Sequence, residues 1–128
     1  MKIKNLTMLF SLGLVLALIN IQAAVNVKEV SFWVDGNCDH CKERIETALD
    51  VKGVKMAEYD VKENMLTVVY KPEVITLDRL HQLVAAAGHD TKKAKATDDA
   101  YKAITMECCK YRDESCKKSC SDSCKKKH

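Results

Sequence analysis

The sequence predicts an α+β sandwich, with two helices on one face of an antiparallel sheet. Three observations predict it. Apolar residues alternate with period two in three short stretches, two further stretches carry the helical period, and turn residues fall between them. The order of these stretches is β-α-β-β-α, in which neighbouring elements are joined by short connections.

Val27–Val34 reads as the first strand, with Val30, Phe32 and Val34 alternating against Glu29, Ser31 and Trp33. Cys41, Ile45, Ala48 and Leu49 follow at helical spacing, and Gly53 is expected to stop that helix. Val54–Val61 is the second strand, with Ala57, Tyr59 and Val61 on one face. Glu63-Asn64 predicts a tight hairpin into Met65–Tyr70, where Leu66, Val68 and Tyr70 alternate until Pro72 ends the run. Thr76 is placed to cap a second helix with the stripe Leu77, Leu80, Val84 and Ala87, and Gly88 sits where a left-handed C-cap belongs. A short fourth strand after Gly88 would complete βαββαβ, the ferredoxin-like sandwich. A short extra helix is expected from Thr97 to about Met106, with Asp98 and Asp99 in its first turn.

The two ends read differently from the middle. Lys2 and Lys4 precede an apolar run from Met8 to Ile19, and Ala23-Ala24 follows. That is the order of a signal peptide over residues 1–23, and its twelve-residue apolar run is too short to span a bilayer, which needs about 20. An uncleaved anchor is the alternative. The expectation is an exported, periplasmic protein with no stable membrane span after cleavage. Residues 24–95 then form the domain, 96–107 a short helical linker, and 108–128 a Cys/Lys-rich tail with seven basic and three acidic residues, +4. The domain side is acidic: residues 24–107 hold twelve basic and fifteen acidic residues, −3. A formal charge of +3 over 128 residues gives no basis for nucleic-acid binding.

Seven cysteines, an odd number, cannot all pair within one chain. Cys38 and Cys41, in Cys38-Asp39-His40-Cys41, fall in the loop that opens the first helix. A helix N-terminus offers unpaired N–H groups and a positive dipole end, which stabilise thiolates, and the spacing lets both sulfurs reach one ion. Cys41 lies on the apolar stripe and is expected to be the more buried; Cys38 is expected to face solvent. Two thiolates with no further ligand nearby suit Cu(I) better than Zn(II), which prefers four. A thioredoxin-type redox pair, half of a zinc site and a plain disulfide are the other readings of this spacing. His40 is expected to point to solvent, and His81 to be an ordinary helix residue.

The run Gly36-Asn37-Cys38-Asp39-His40-Cys41, with Ile45-Glu46, Gly53-Val54, Tyr70 and Gly88-His89-Asp90, resembles the heavy-metal-associated domain over roughly residues 27–93. That family includes copper metallochaperones, copper-ATPase N-terminal modules and a periplasmic mercury-binding protein. The resemblance implies that Cys38 and Cys41 bind a soft ion, Cu(I) first, with Hg(II), Zn(II) and Ag(I) as alternatives. It also implies transfer by ligand exchange to a partner such as a copper-transporting ATPase or efflux component, with no enzymatic activity. Two departures stand out. The family's Gly-Met-x-Cys is here Gly36-Asn37-Cys38, one residue shorter and without the methionine that packs beneath the loop. His89 stands where the family carries Tyr, Phe or Lys near the metal loop, which makes it a candidate third ligand or a hydrogen-bond partner that tunes the thiolates.

Cys116, Cys120 and Cys124 recur every four residues in the tail, a spacing that would stack three sulfurs on one face of a helix. With His128 they are a candidate second soft-metal site; disulfides to Cys108 or Cys109 and a solvated tail are the alternatives. Vicinal Cys108-Cys109 fits disulfide geometry poorly.

Overall fold

The computed structural model describes residues 26–104 and 110–114. Three strands, β1 (Lys28–Trp33), β2 (Val54–Asp60) and β3 (Met65–Tyr70), form an antiparallel sheet in the order β1-β3-β2. The central strand pairs from Tyr70 opposite Lys28 to Met65 opposite Trp33 on one side. On the other it pairs with β2, with one irregularity between Val54 and Met56. Helices α1 (Asp39–Ala48) and α2 (Leu77–Ala86) pack against each other, and α1 lies over β2. The predicted alternation sets the core face: Val34, Tyr59, Leu66 and Val68 meet Ile45, Leu49, Leu80 and Val84 with no exposed surface left on any of them.

α1 starts on Cys38, whose extended backbone (φ −156°, ψ 169°) is that of an N-cap, with Asp39 in the first turn. It ends at Ala48, short of Gly53. Leu49 is fully buried, and its N–H bonds the Glu46 carbonyl at 3.1 Å, a tightened turn that closes the helix. Gly53 instead turns the chain into β2 at φ +102°, where a Cβ would stand 2.9 Å from both Val74 and Ile75.

α2 is capped as its sequence predicts. The Thr76 hydroxyl accepts the Arg79 N–H at 3.2 Å. At the far end Gly88 (φ +97°) gives its N–H to Ala85 O at 3.0 Å, and His89 gives its N–H to Val84 O at 3.2 Å. These two bonds are a Schellman motif, and they fix where His89 leaves the helix.

The expected fourth strand is reduced to one bridge, Val34 opposite Thr91. The Thr91 hydroxyl accepts the N–H groups of Lys93 (3.2 Å) and Ala94 (2.9 Å), and Thr91 N–H bonds Ala94 O at 2.8 Å. That side-chain turn bends the chain away before a second pair can form.

The short extra helix is present as α3 (Asp98–Lys102), with the Thr97 hydroxyl accepting the Ala100 N–H at 3.2 Å. The folded unit nevertheless runs past the 24–95 boundary. Ala96, Ile104 and Tyr111 are all buried, so residues 96–104 are packed structure rather than linker, and part of the expected tail joins the core. Among the described residues no helix is long and apolar enough to cross a membrane.

Candidate metal centre

The β1–α1 loop brings the Cys38 and Cys41 sulfurs to 3.3 Å, well beyond the roughly 2.05 Å of a disulfide, so the two are not joined to each other. Both are buried, Cys41 at 0% and Cys38 at 4% exposure, which corrects the expectation that Cys38 faces solvent. The reason is the N-cap conformation. Like a capping serine, Cys38 turns its side chain back over the first helical turn, but its sulfur meets Cys41 and makes no capping bond.

The loop is held from below by Tyr59, a fully buried β2 residue. Its hydroxyl lies within 3.0 Å of Val34 O, 3.2 Å of Gly36 O and 2.9 Å of the Asn64 side-chain oxygen. Burial, reinforced by negative charge developing at Cys41 and Asp35, pushes its phenol far above the ordinary range and keeps it a donor. Gly36 sits directly on this hydroxyl: a Cβ there would lie 2.9 Å from it and 3.2 Å from the Cys41 Cβ. Asn37 adds a side-chain oxygen 3.5 Å from the Cys41 sulfur. On α1, Lys42 pairs with Glu46 at 3.0 Å and donates to Tyr59 O at 2.9 Å, while Glu46 accepts the Tyr59 N–H at 2.9 Å. The helix start is thereby tied to β2 on the Cys41 side.

His89 is fully buried. Its Nδ1 lies 2.9 Å from the Asp35 carbonyl, which can only accept, so Nδ1 carries the proton in that bond. Burial holds the imidazole below its ordinary pKa despite that bond, and the neutral ring then has a bare Nε2, an atom buried without a hydrogen-bond partner. His89 thus bears on the cysteine loop through Asp35. Among the described residues no group of three or more His, Cys, Asp or Glu side chains converges on one point. His40 is exposed, as expected. His81 lies on α2, as expected, and is buried there: it is 4% exposed, with its ring 4.0 Å from Phe32 and Nδ1 2.9 Å from the Thr91 hydroxyl. Cys108, Cys109, Cys116, Cys120, Cys124 and His128 lie outside the described residues, so the second-site reading of the tail is not addressed by this structure.

Comparison with known proteins matches residues 31–90 to the heavy-metal-associated domain. A copper chaperone CopZ of Staphylococcus haemolyticus is 30% identical over 73 residues, which span 56% of this chain and 98% of that protein. The chain belongs to the heavy-metal-associated domain family. Among solved structures it resembles the N-terminal domain of a potential copper-translocating P-type ATPase from Bacillus subtilis, determined in the Cu(I)-loaded state. There the TM-score is 0.50 with 28% identity, over 52% of this chain and 86% of that one. Oxidized MerP from Ralstonia metallidurans shares the fold, with TM-score 0.50 and 20% identity over 52% and 96% of the two chains.

Two residues important to this heavy-metal-associated domain escaped the sequence reading. Asn37 was read only as a departure from the family pattern, and Tyr59 only as an inward strand residue. The signal for Tyr59 was available: a tyrosine on a core face needs a partner for its hydroxyl, and the glycine-containing loop is the nearest backbone the topology offers.

Proposed function

We propose that the chain is an exported carrier of a soft metal ion, with Cu(I) as cargo, held by the thiolates of Cys38 and Cys41 and passed to a partner by ligand exchange. The observation that supports it best is the buried sulfur pair at the N-terminus of α1, 3.3 Å apart, with no three-ligand group among the described residues. Two soft donors satisfy Cu(I), whereas Zn(II) would lack half of its usual set. At metal–sulfur distances of about 2.3 Å, two sulfurs on one ion stand roughly 3.7–4.6 Å apart, so loading spreads the pair slightly and releases the thiol protons. The helix dipole then faces the net negative charge of a dithiolate–Cu(I) unit.

Similarity to a copper chaperone and to an ATPase domain solved with Cu(I) supports copper as cargo and a copper transporter as partner. Export rests on the basic, apolar and small-residue order of residues 1–24. The function requires no catalysed covalent chemistry.

The test is an anaerobic titration of the reduced protein with Cu(I), Zn(II) and Hg(II) against competing chelators, beside the Cys38→Ser/Cys41→Ser double variant. Tight Cu(I) binding that disappears in the double variant is the expected outcome. Undiminished binding would move the site elsewhere in the chain. Efficient insulin reduction by the wild type would favour a thiol–disulfide oxidoreductase.

A further inference from the structure

Beyond residue 90, where the family match ends, the chain returns to the metal end of the domain. Tyr111 is fully buried there and donates its hydroxyl to Gly88 O at 2.7 Å. Its ring stacks on His89, centroids 5.4 Å apart, and meets Tyr101 edge-on at 5.2 Å. Arg112 grips the Asp90 carboxylate with two nitrogens, at 2.7 and 3.1 Å. It also donates to Ala96 O at 2.8 Å and covers the Tyr101 ring at 4.6 Å. Asp90 in turn accepts the Ala96 N–H at 2.8 Å. Gly88, His89 and Asp90 are therefore each held by Tyr111 or Arg112.

Two of these three, His89 and Asp90, hold the cysteine loop. Asp35 N–H bonds Asp90 O at 2.8 Å, and Asp35 O accepts from His89 at 2.9 Å. Asp35 lies three residues before Cys38, with only Gly36 and Asn37 between. We infer that Tyr111 and Arg112 are positioning residues of the metal centre: they fix the Gly88–Asp90 turn, which fixes Asp35, which sets the shape of the cysteine loop before metal arrives. A bidentate, partly buried guanidinium–carboxylate pair suits this role, because its planar fork fixes orientation as well as distance. Partners one layer outside the ligands orient them, and losing such a partner typically costs about 10–100-fold in metal affinity. This inference rests on the reading of Cys38 and Cys41 as ligands.

The experiment uses the full reduced chain and four variants. Arg112→Ala removes the grip on Asp90. Tyr111→Phe keeps the ring and removes only the hydroxyl. Thr76→Ala removes the α2 N-cap far from the loop and is the stability control. Cys38→Ser/Cys41→Ser tests the ligands. Two quantities are read: the hydrogen-exchange protection of the Asp35 amide without metal, and Cu(I) affinity by chelator competition. Arg112→Ala is expected to lose Asp35 protection and weaken Cu(I) by about 10-fold, with Tyr111→Phe smaller in the same direction and Thr76→Ala neutral in both. Arg112→Ala with unchanged affinity, or with a loss that Thr76→Ala matches at equal stability, overturns the inference. If Arg112→Ala does not fold, Tyr111→Phe decides between the same outcomes. If the wild type fails to bind Cu(I), or the double cysteine variant binds it equally, the metal reading falls instead, and Asp35 protection still reports whether the brace exists.

Discussion

Gly36→Ala paired with Tyr59→Phe tests how the cysteine loop is seated. An added Cβ at residue 36 would stand 2.9 Å from the Tyr59 hydroxyl, 3.4 Å from its ring and 3.2 Å from the Cys41 Cβ. Overpacking of that kind costs about 1–3 kcal/mol. Tyr59→Phe removes a hydroxyl that has three acceptors around it and donates to one at a time, a loss of about 1–2 kcal/mol once the stranded acceptors are counted. In the double variant the closest atom to the new methyl is gone, so its cost should fall short of the sum of the singles by about 1 kcal/mol or more. Urea unfolding of the reduced protein measures each corner of the cycle. For a domain this size 1 kcal/mol corresponds to about 4–8 °C in Tm, so thermal unfolding provides a second reading. Additivity to within about 0.5 kcal/mol would mean that Gly36 does not rest on the Tyr59 hydroxyl, and the seating described for the loop would be wrong.

Gly88→Ala should cost more than about 2 kcal/mol, since φ is +97° and the new Cβ would meet Ala100 O at 2.7 Å and Ile104 at 2.9 Å; unfolding at an unchanged urea midpoint would show that α3 does not pack there. Stability should fall on acidification. Burial, helped by nearby Lys93, holds His81 below its ordinary pKa, so the unfolded chain takes up a proton first as pH drops through about 6.5, and the loss grows until the folded pKa is passed. His89 contributes with the same sign, so His81→Gln should reduce the difference in urea midpoint between pH 7.5 and 5.5 without abolishing it; an unaltered difference would refute the role of His81.

The parts of the fold legible in the sequence are those set by local rules. Alternation marks β1 and β3, Thr76 and Thr97 cap their helices through their hydroxyls, and Gly88 closes α2 with a positive φ. What was not legible depends on partners distant along the chain. Cys38 was assigned to solvent because it precedes the apolar stripe, but the N-cap conformation folds its side chain inward. The fourth strand was expected after Gly88 to complete the β-α-β-β-α order, and the Thr91 hydroxyl stops it after one pair. Tyr111 was read as part of a polar tail, since one aromatic among lysines carries no periodicity. Its burial depends on Gly88 O, 23 residues away in sequence, and on the rings of His89 and Tyr101.

The shortened loop and the extra chain beyond the domain then become one argument. Gly36-Asn37-Cys38 lacks the methionine that would plug the underside of the loop, and an apolar plug fixes a loop by shape. Here the underside meets a phenol hydroxyl, and the flank is tied through the Asp35 backbone to the Asp90 carbonyl and to the His89 ring. Polar ties of this kind are directional, but each contributes only about 1 kcal/mol net and is exposed to competition from water unless covered. Tyr111 and Ile104 supply cover on that side, both essentially without exposed surface, and Arg112 neutralises the partly buried Asp90 carboxylate. The segment past residue 90 therefore packs where the loop's polar ties need cover, which links Tyr111 and Arg112 through His89, Asp90 and Asp35 to the seating of the cysteines.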